Sequence, residues 1–221
     1  MWALIAANTL VFFLEQTLTP RELEKLFRLC GIVPAATTTV LRDHVWALLP
    51  SELLRFITSL FLHGGWLHFL GNMWTLYLFG DNVEDRMGPV RFLLFYLLCG
   101  VLAGWIHVLA HPTSLVPTIG ASGAIAGVLA AYLLLYPYAT VITLIPLFIF
   151  PWFVELPAVV FIGLWYLTQV FEGTLALAVD VAYGGVAWWA HIGGFLAGLT
   201  LTPFFLRRPH RKPYPDEYAP W

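Results

Sequence analysis

Long apolar runs constrain this chain more tightly than anything else in it. A helix needs about 20 apolar residues to cross a hydrocarbon layer ~30 Å thick. Six runs near that length are legible, at about 2–18, 61–80, 91–110, 119–136, 157–173 and 187–206. In lipid every backbone N–H and C=O must find a partner within the protein, which favours helices over irregular chain. The chain is 60% hydrophobic and 11% charged, with mean hydropathy +0.79. A soluble domain carries roughly 25% charged residues. The expected fold class is therefore an all-α membrane protein, a six-transmembrane-helix bundle over 1–206. Residues 207–221 are basic and Pro-rich and are expected to form a disordered tail. The net charge of −2 gives no sign of a nucleic-acid partner. Two cysteines, Cys30 and Cys99, are too few for a disulfide framework. No basic residue precedes the first run and no clear small-residue cleavage site follows it, so it reads as a first span rather than a cleaved leader.

One apolar stretch does not fit. Val141 to Phe153 is short, holds Pro146 and Pro151, and is rich in β-branched and aromatic residues. It reads as a re-entrant or interfacial excursion rather than a seventh helix. Parity supports that reading. With six spans, the second, fourth and sixth run in one direction, and the polar residues near their starts share one membrane face. At 1.5 Å per residue those residues lie on the order of 5–10 Å deep. A seventh span would send the last of them to the opposite face.

The linkers differ in kind. Residues 19–60 form a long first loop, expected to be membrane-associated, with an amphipathic stretch from Pro50 to Leu60 and Ser51 as a helix cap. Residues 81–90 read as a tight charged turn. Arg86, Arg91 and four tail cations (Arg207, Arg208, Arg211, Lys212) lie on one side, and Arg21, Lys25, Arg28, Arg42 and Arg55 on the other. The bias mildly favours a cytoplasmic tail.

Polar side chains inside a bilayer are expensive, so each is a functional hypothesis by default. Ser122 follows Gly120-Ala121 and precedes Gly123. It stands at a helix start, where backbone N–H groups lack partners and the dipole end is positive. A nucleophile there has a ready donor for a developing oxyanion. Ser122 alone also reads as a helix cap, and Gly123, Gly127 and Ala131 form a small-residue packing stripe. His191, in Ala190-His191-Ile192-Gly193-Gly194, opens the last span. Ala190, Gly194 and Gly198 recur every four residues, which lets this helix press against the Gly123/Gly127 stripe. That closeness is what a Ser–His hydrogen bond requires. The 13 acidic residues all read as lying in loops or at span ends, so none is available to orient His191 and the expected unit is a Ser–His dyad. Asp180 and Glu172 are the nearest acids in sequence and are placed in a loop. His68 and Asn72 are four apart and share a helix face. Both donate hydrogen bonds suited to an oxyanion, or to a neighbouring helix. No His-Glu-x-x-His pattern accompanies the histidines, so no metal and no cofactor are expected. His107 and His111, at a span end beside Pro112, read as interfacial.

These residues together resemble the rhomboid family of intramembrane serine proteases. The likeness covers nearly the whole chain. It rests on His63, His68 and Asn72 in the second run, on Gly120-Ala121-Ser122-Gly123 at the start of the fourth, and on Ala190-His191-Ile192-Gly193-Gly194 in the sixth. Gly80-x-x-x-Glu84-x-x-x-Gly88 resembles the family's turn after the second span. The resemblance implies a serine endopeptidase that cuts peptide bonds in or near transmembrane segments. Ser122 would be the nucleophile and His191 the base. His68, Asn72 and the Ser122 backbone N–H would form the oxyanion hole, with His63, Gly120, Gly123 and Gly194 supporting the site. Partners would be the lipid bilayer and transmembrane protein substrates, expected to be single-span. The expected location is a prokaryotic plasma (inner) membrane, with cytoplasmic N- and C-termini and the site open to the outside. The fifth span, with Phe161, Trp165 and Tyr166, would form a lateral gate with the second. Two positions depart from the family: Ala126 stands where some members have an aromatic four residues after the serine, and Leu54 precedes Arg55 where a Trp is frequent. The rival readings are a non-proteolytic rhomboid-like protein that binds membrane clients, and a transporter or channel.

Overall fold

The computed structural model describes residues 1–147, 150–179 and 186–207. Among them the chain is mostly helical. Helix α1 (Trp2–Glu15) enters the first loop, which folds into three helices, α2 (Pro20–Cys30), α3 (Pro34–Arg42) and α4 (Leu49–Thr58). Then follow α5 (Trp66–Met87), α6 (Pro89–Ala110) and α7 (Ser122–Leu135). Strands β1 (Thr140–Leu147) and β2 (Phe150–Pro157) lead to α8 (Ala158–Val179) and α9 (Trp188–Phe205).

Local chemistry sets several of these limits. Thr19 caps α2 in a reciprocal box: its hydroxyl accepts the Glu22 N–H, and the Glu22 carboxylate accepts the Thr19 N–H at 2.9 Å. The Thr19 hydroxyl, which donates to the Glu22 carboxylate at 2.7 Å, and then the Thr19 N–H hold the Glu22 carboxyl below the usual carboxylate range. Gly88, at φ +81, ends α5 and turns the chain into Pro89 of α6. The 81–90 stretch is thus not the tight turn its charges suggest, because α5 runs through it and only Gly88 turns. Ser51 does not cap α4. A short 3₁₀ turn at Trp46–Leu48 feeds that helix, and the Ser51 hydroxyl instead donates to the Leu48 carbonyl at 2.7 Å.

Helices occupy all six predicted runs, but unevenly. Pro89–Ala110 and Ala158–Leu177 are long and apolar enough to cross a membrane alone. The Trp46–Phe61 and Trp66–Met87 segments, bent by 84° at their junction, make a third candidate if taken as one. Trp2–Glu15 and Ser122–Leu135 are apolar but only 14 residues each. The reasons are local: Pro112, Pro117 and Gly120 delay α7 to Ser122, and the last turns of α5 carry Asp81, Glu84, Asp85 and Arg86.

The stretch after α7 corrects the all-α expectation. It is an antiparallel β-hairpin, with Thr140 opposite Pro157 and Leu147 opposite Phe150. β-Branched and aromatic side chains favour a pleated strand over a helix. The two prolines, Pro146 and Pro151, face each other in the register. Among the described residues, the hairpin stands where a seventh helix would have stood. The predicted 207–221 tail lies outside the described residues except for Arg207.

At the centre, α6, α7 and α9 pack on one another, and α5 packs on α7. Phe92, Phe95, Tyr96, Ala124 and Val128 are fully buried there. Helix α8 lies on the rim, chiefly against α9.

Candidate active site

Ser122 is the first residue of α7, and the segment before it is clamped. Ile32 and Thr118 exchange two backbone hydrogen bonds, at 3.0 and 2.7 Å. The Gly120 N–H donates to the Ser59 carbonyl at 2.9 Å. The first loop thus fixes the chain that delivers Ser122. Gly120 has φ +122, a left-handed conformation that L side chains rarely adopt. A Cβ there would also come within 2.6 Å of His68 Nε2.

His191, the fourth residue of α9, brings Nε2 to 2.7 Å from Ser122 Oγ. The two helices meet through the predicted small-residue stripes. A Cβ on Gly194 would overlap the Gly123 carbonyl, and one on Gly198 would overlap the Gly127 carbonyl. Gly123 itself faces Ala103 of α6, where a Cβ would meet the alanine Cβ at 2.7 Å. Small residues on all three helices therefore bring the backbones into contact, as the spacing implied.

Sequence reasoning left the other face of the imidazole without a partner. Gln169 of α8 supplies one: its Oε1 lies 2.7 Å from His191 Nδ1. Gln169 is 4% exposed. Its Nε2 donates to the Trp165 carbonyl and to the Thr168 hydroxyl, both at 3.0 Å. The ring faces are also covered, by Trp165 at 5.9 Å between centroids and edge-on by Trp188 at 6.2 Å. An aromatic from α8 thus takes the place left by Ala126 on α7.

His68, the third residue of α5, lies against Gly120, and its Nδ1 accepts the Gly64 N–H at 3.3 Å. That bond leaves the proton on Nε2, the nitrogen nearest Gly120 and the Ser122 turn. Asn72 is one turn further along the same face of α5. It is buried, and its Nδ2 has no hydrogen-bond partner among the described residues. A buried amide with an unused donor is ready for an anionic acceptor.

His63 is placed differently. Its ring is buried among Phe12, Phe69 and His68. Its backbone N–H donates to the Glu15 carboxylate at 3.2 Å. Glu15, at the end of α1, is itself buried. The sequence reading had put every acid in a loop or at a span end and gave Glu15 no role. Its position at the last turn of an apolar helix was the available signal.

Glu52 of α4 is also buried. It pairs with Arg55 at 2.8 Å and accepts from the Thr37 hydroxyl at 3.1 Å, joining α3 to α4. With Leu54 before it, Arg55 thus anchors the first loop through Glu52. Beside Ser122 lies a crevice of only about 20 Å³, lined by small residues such as Gly100 and Ala103 and also by Ile32, Leu60 and Ile119. His107 and His111 stack at 5.0 Å at the end of α6. Of the two acids expected in a loop, Glu172 instead lies within α8, and Asp180 lies outside the described residues.

Comparison with known proteins finds relatives over most of the chain. A profile of the Rhomboid domain matches residues 50–208. RHOMBOID-like protein 6, mitochondrial, of Arabidopsis thaliana is 29% identical over 162 residues, which are 72% of this chain and 46% of that protein. Rhomboid-like protein 11, chloroplastic, of the same plant is 31% identical over 155 residues, 67% of this chain and 51% of that one. Rhomboid-like protease 5 of Toxoplasma gondii is 30% identical over 166 residues, 72% of this chain and 17% of that one. The chain spans about half the length of the two plant relatives. Their organellar names lend no support to the prokaryotic plasma membrane expected above. With a domain match over most of its length, this chain belongs to the rhomboid family, and its apolar helices make it an integral membrane protein.

Proposed function

We propose that this protein is an intramembrane serine endopeptidase that hydrolyses peptide bonds in or near transmembrane segments. The observation that carries the reading is the 2.7 Å approach of His191 Nε2 to Ser122 Oγ, two side chains 69 positions apart. That is the distance a nucleophile and its base require. In this reading His191 takes the proton of Ser122 as Oγ attacks the scissile carbonyl carbon. The carbonyl oxygen becomes an oxyanion, which the Ser122 N–H, His68 Nε2–H and Asn72 amide stabilise. The C–N bond then breaks, and His191 returns the proton to the departing amine. Water, activated by the same imidazole, hydrolyses the acyl-enzyme and frees Ser122.

The six helices that hold this machinery serve as six spans in the proposal, with the first loop partly in the membrane and residues 1–206 as the working unit. The site faces the outside and both termini face the cytoplasm. A substrate helix must unwind locally, because its own hydrogen bonds shield the scissile bond. Single-span proteins with small or helix-weakening residues near the site's face are the proposed substrates.

The test is cleavage of a fluorescent single-span reporter by purified protein in liposomes. Ser122→Ala and His191→Ala are each expected to lower the rate by at least about 10⁴-fold. Activity persisting in Ser122→Ala would mean that the nucleophile is misassigned. A folded wild type that binds several reporters and cuts none would favour the client-binding reading.

A further inference from the structure

A glutamine inside an apolar helix is expensive, and Gln169 is almost fully buried. Every polar atom of its side chain is nonetheless in use. The amide nitrogen donates to the Trp165 carbonyl and the Thr168 hydroxyl, which fixes which end of the carboxamide is oxygen. The oxygen then faces His191 Nδ1 at 2.7 Å. An amide oxygen only accepts, so Nδ1 must carry the proton. Nε2 is left with its lone pair toward Ser122, the form in which imidazole acts as a base. A buried carboxylate in the same place would need a counter-charge, whereas a neutral amide needs none.

We propose that Gln169 is the positioning residue of the catalytic base, holding the Nδ1–H of His191 so that Nε2 faces Ser122. The inference rests on the Ser122–His191 reading above. It replaces a bare dyad by a three-member chain whose third member is uncharged. Gln169 touches neither substrate nor reacting atom and acts only through His191.

The test compares Gln169→Met and Gln169→Glu with wild type and Ser122→Ala. Methionine keeps the volume and cannot accept the bond, whereas a glutamate oxygen still can. Loss of one such bond is expected to lower kcat about tenfold in the methionine variant, with KM little changed. The glutamate variant is expected to cleave faster than the methionine variant. Labelling of Ser122 by a fluorophosphonate should fall in the same order, since it needs an activated serine but no cleavable reporter. A methionine variant with wild-type kcat would overturn the positioning role and leave the protease reading intact. Equal losses in both variants, tracking a fall in thermal stability, would assign Gln169 a structural role only. A folded wild type that neither cleaves nor labels would remove the protease reading and this inference with it. Spectra of ¹⁵N-histidine in Ser122→Ala protein check the tautomer directly. His191 protonated at Nδ1 is expected, and protonation at Nε2 overturns the proposal.

Discussion

Gly120 has little freedom. Its φ of +122 disfavours a side chain, and His68 Nε2 occupies the space a Cβ would need. Gly120→Ala therefore faces about 1–3 kcal/mol of backbone strain together with a displaced His68. Cleavage is expected to drop at least about 10²-fold, the usual effect of losing one oxyanion donor. The overall fold should survive, as circular dichroism would show. An alanine variant with near wild-type kcat would mean that His68 does not donate to the reaction. At this scale the sequence was most legible where polarity was out of place. Ser122, His68, Asn72 and His191 all stood out against apolar neighbours. Gln169 carries the same signal, but a neutral amide is a less obvious partner for an imidazole than a carboxylate. Glu15 stands near the end of the first apolar run, where an acid reads as solvated. Burial, not sequence position, distinguishes a buried carboxylate from a solvated one.

The contact of α7 with α9 shows what a helix face can do when it lacks side chains. At Gly194 and Gly198 the two backbones leave no room for a Cβ. Gly194→Val must push the helices apart, at about 1–3 kcal/mol of overpacking strain. It would also lengthen the Ser122–His191 distance. The expected result is a lower Tm in detergent together with lost cleavage. An unchanged Tm would show that the helices are not this close in the folded protein. The four-residue spacing of small residues made this pairing readable. The β-hairpin was not readable, because a short apolar run has no periodicity that separates strand from buried helix. Pro146 and Pro151 ruled out a regular helix there without revealing that two strands would pair.

The molecule as a whole places its hairpin and its site at opposite ends of α7, with Ser122 at the first turn and β1 five residues past the last. Ile142, Leu144, Trp152 and Phe153 of the hairpin are exposed. Their apolar surface disfavours water, while the open edges of a two-stranded sheet disfavour hydrocarbon. The hairpin is therefore expected at headgroup depth on the membrane face away from Ser122. A spin label at Ile142→Cys, with Cys30 and Cys99 replaced, should be relaxed by oxygen more than by a water-soluble nickel complex. Equal access to both reagents, as in open water, would count against that placement. Convergence was the most legible property at this scale: counting spans predicts that three distant polar groups meet, and His191 does reach Ser122 while His68 reaches Gly120. The path of the first loop was not, because the Ile32–Thr118 bridge is made by backbone atoms that any residue carries.

The rim position of α8 has a consequence for how such an enzyme would be held in check. Only 22% of its apolar stretch is buried, against 50% for α6, so α8 is the less firmly seated of the two. Yet α8 carries Gln169. A hydrogen bond is lost once its atoms part to about 3.6 Å, so a shift of about 1 Å between α8 and α9 would release His191 Nδ1. If α8 is the gate that the family resemblance implies, the helix a substrate passes and the helix that steadies the base are one and the same. Such a coupling is an interlock: the blade is set only when the door has closed behind its guest.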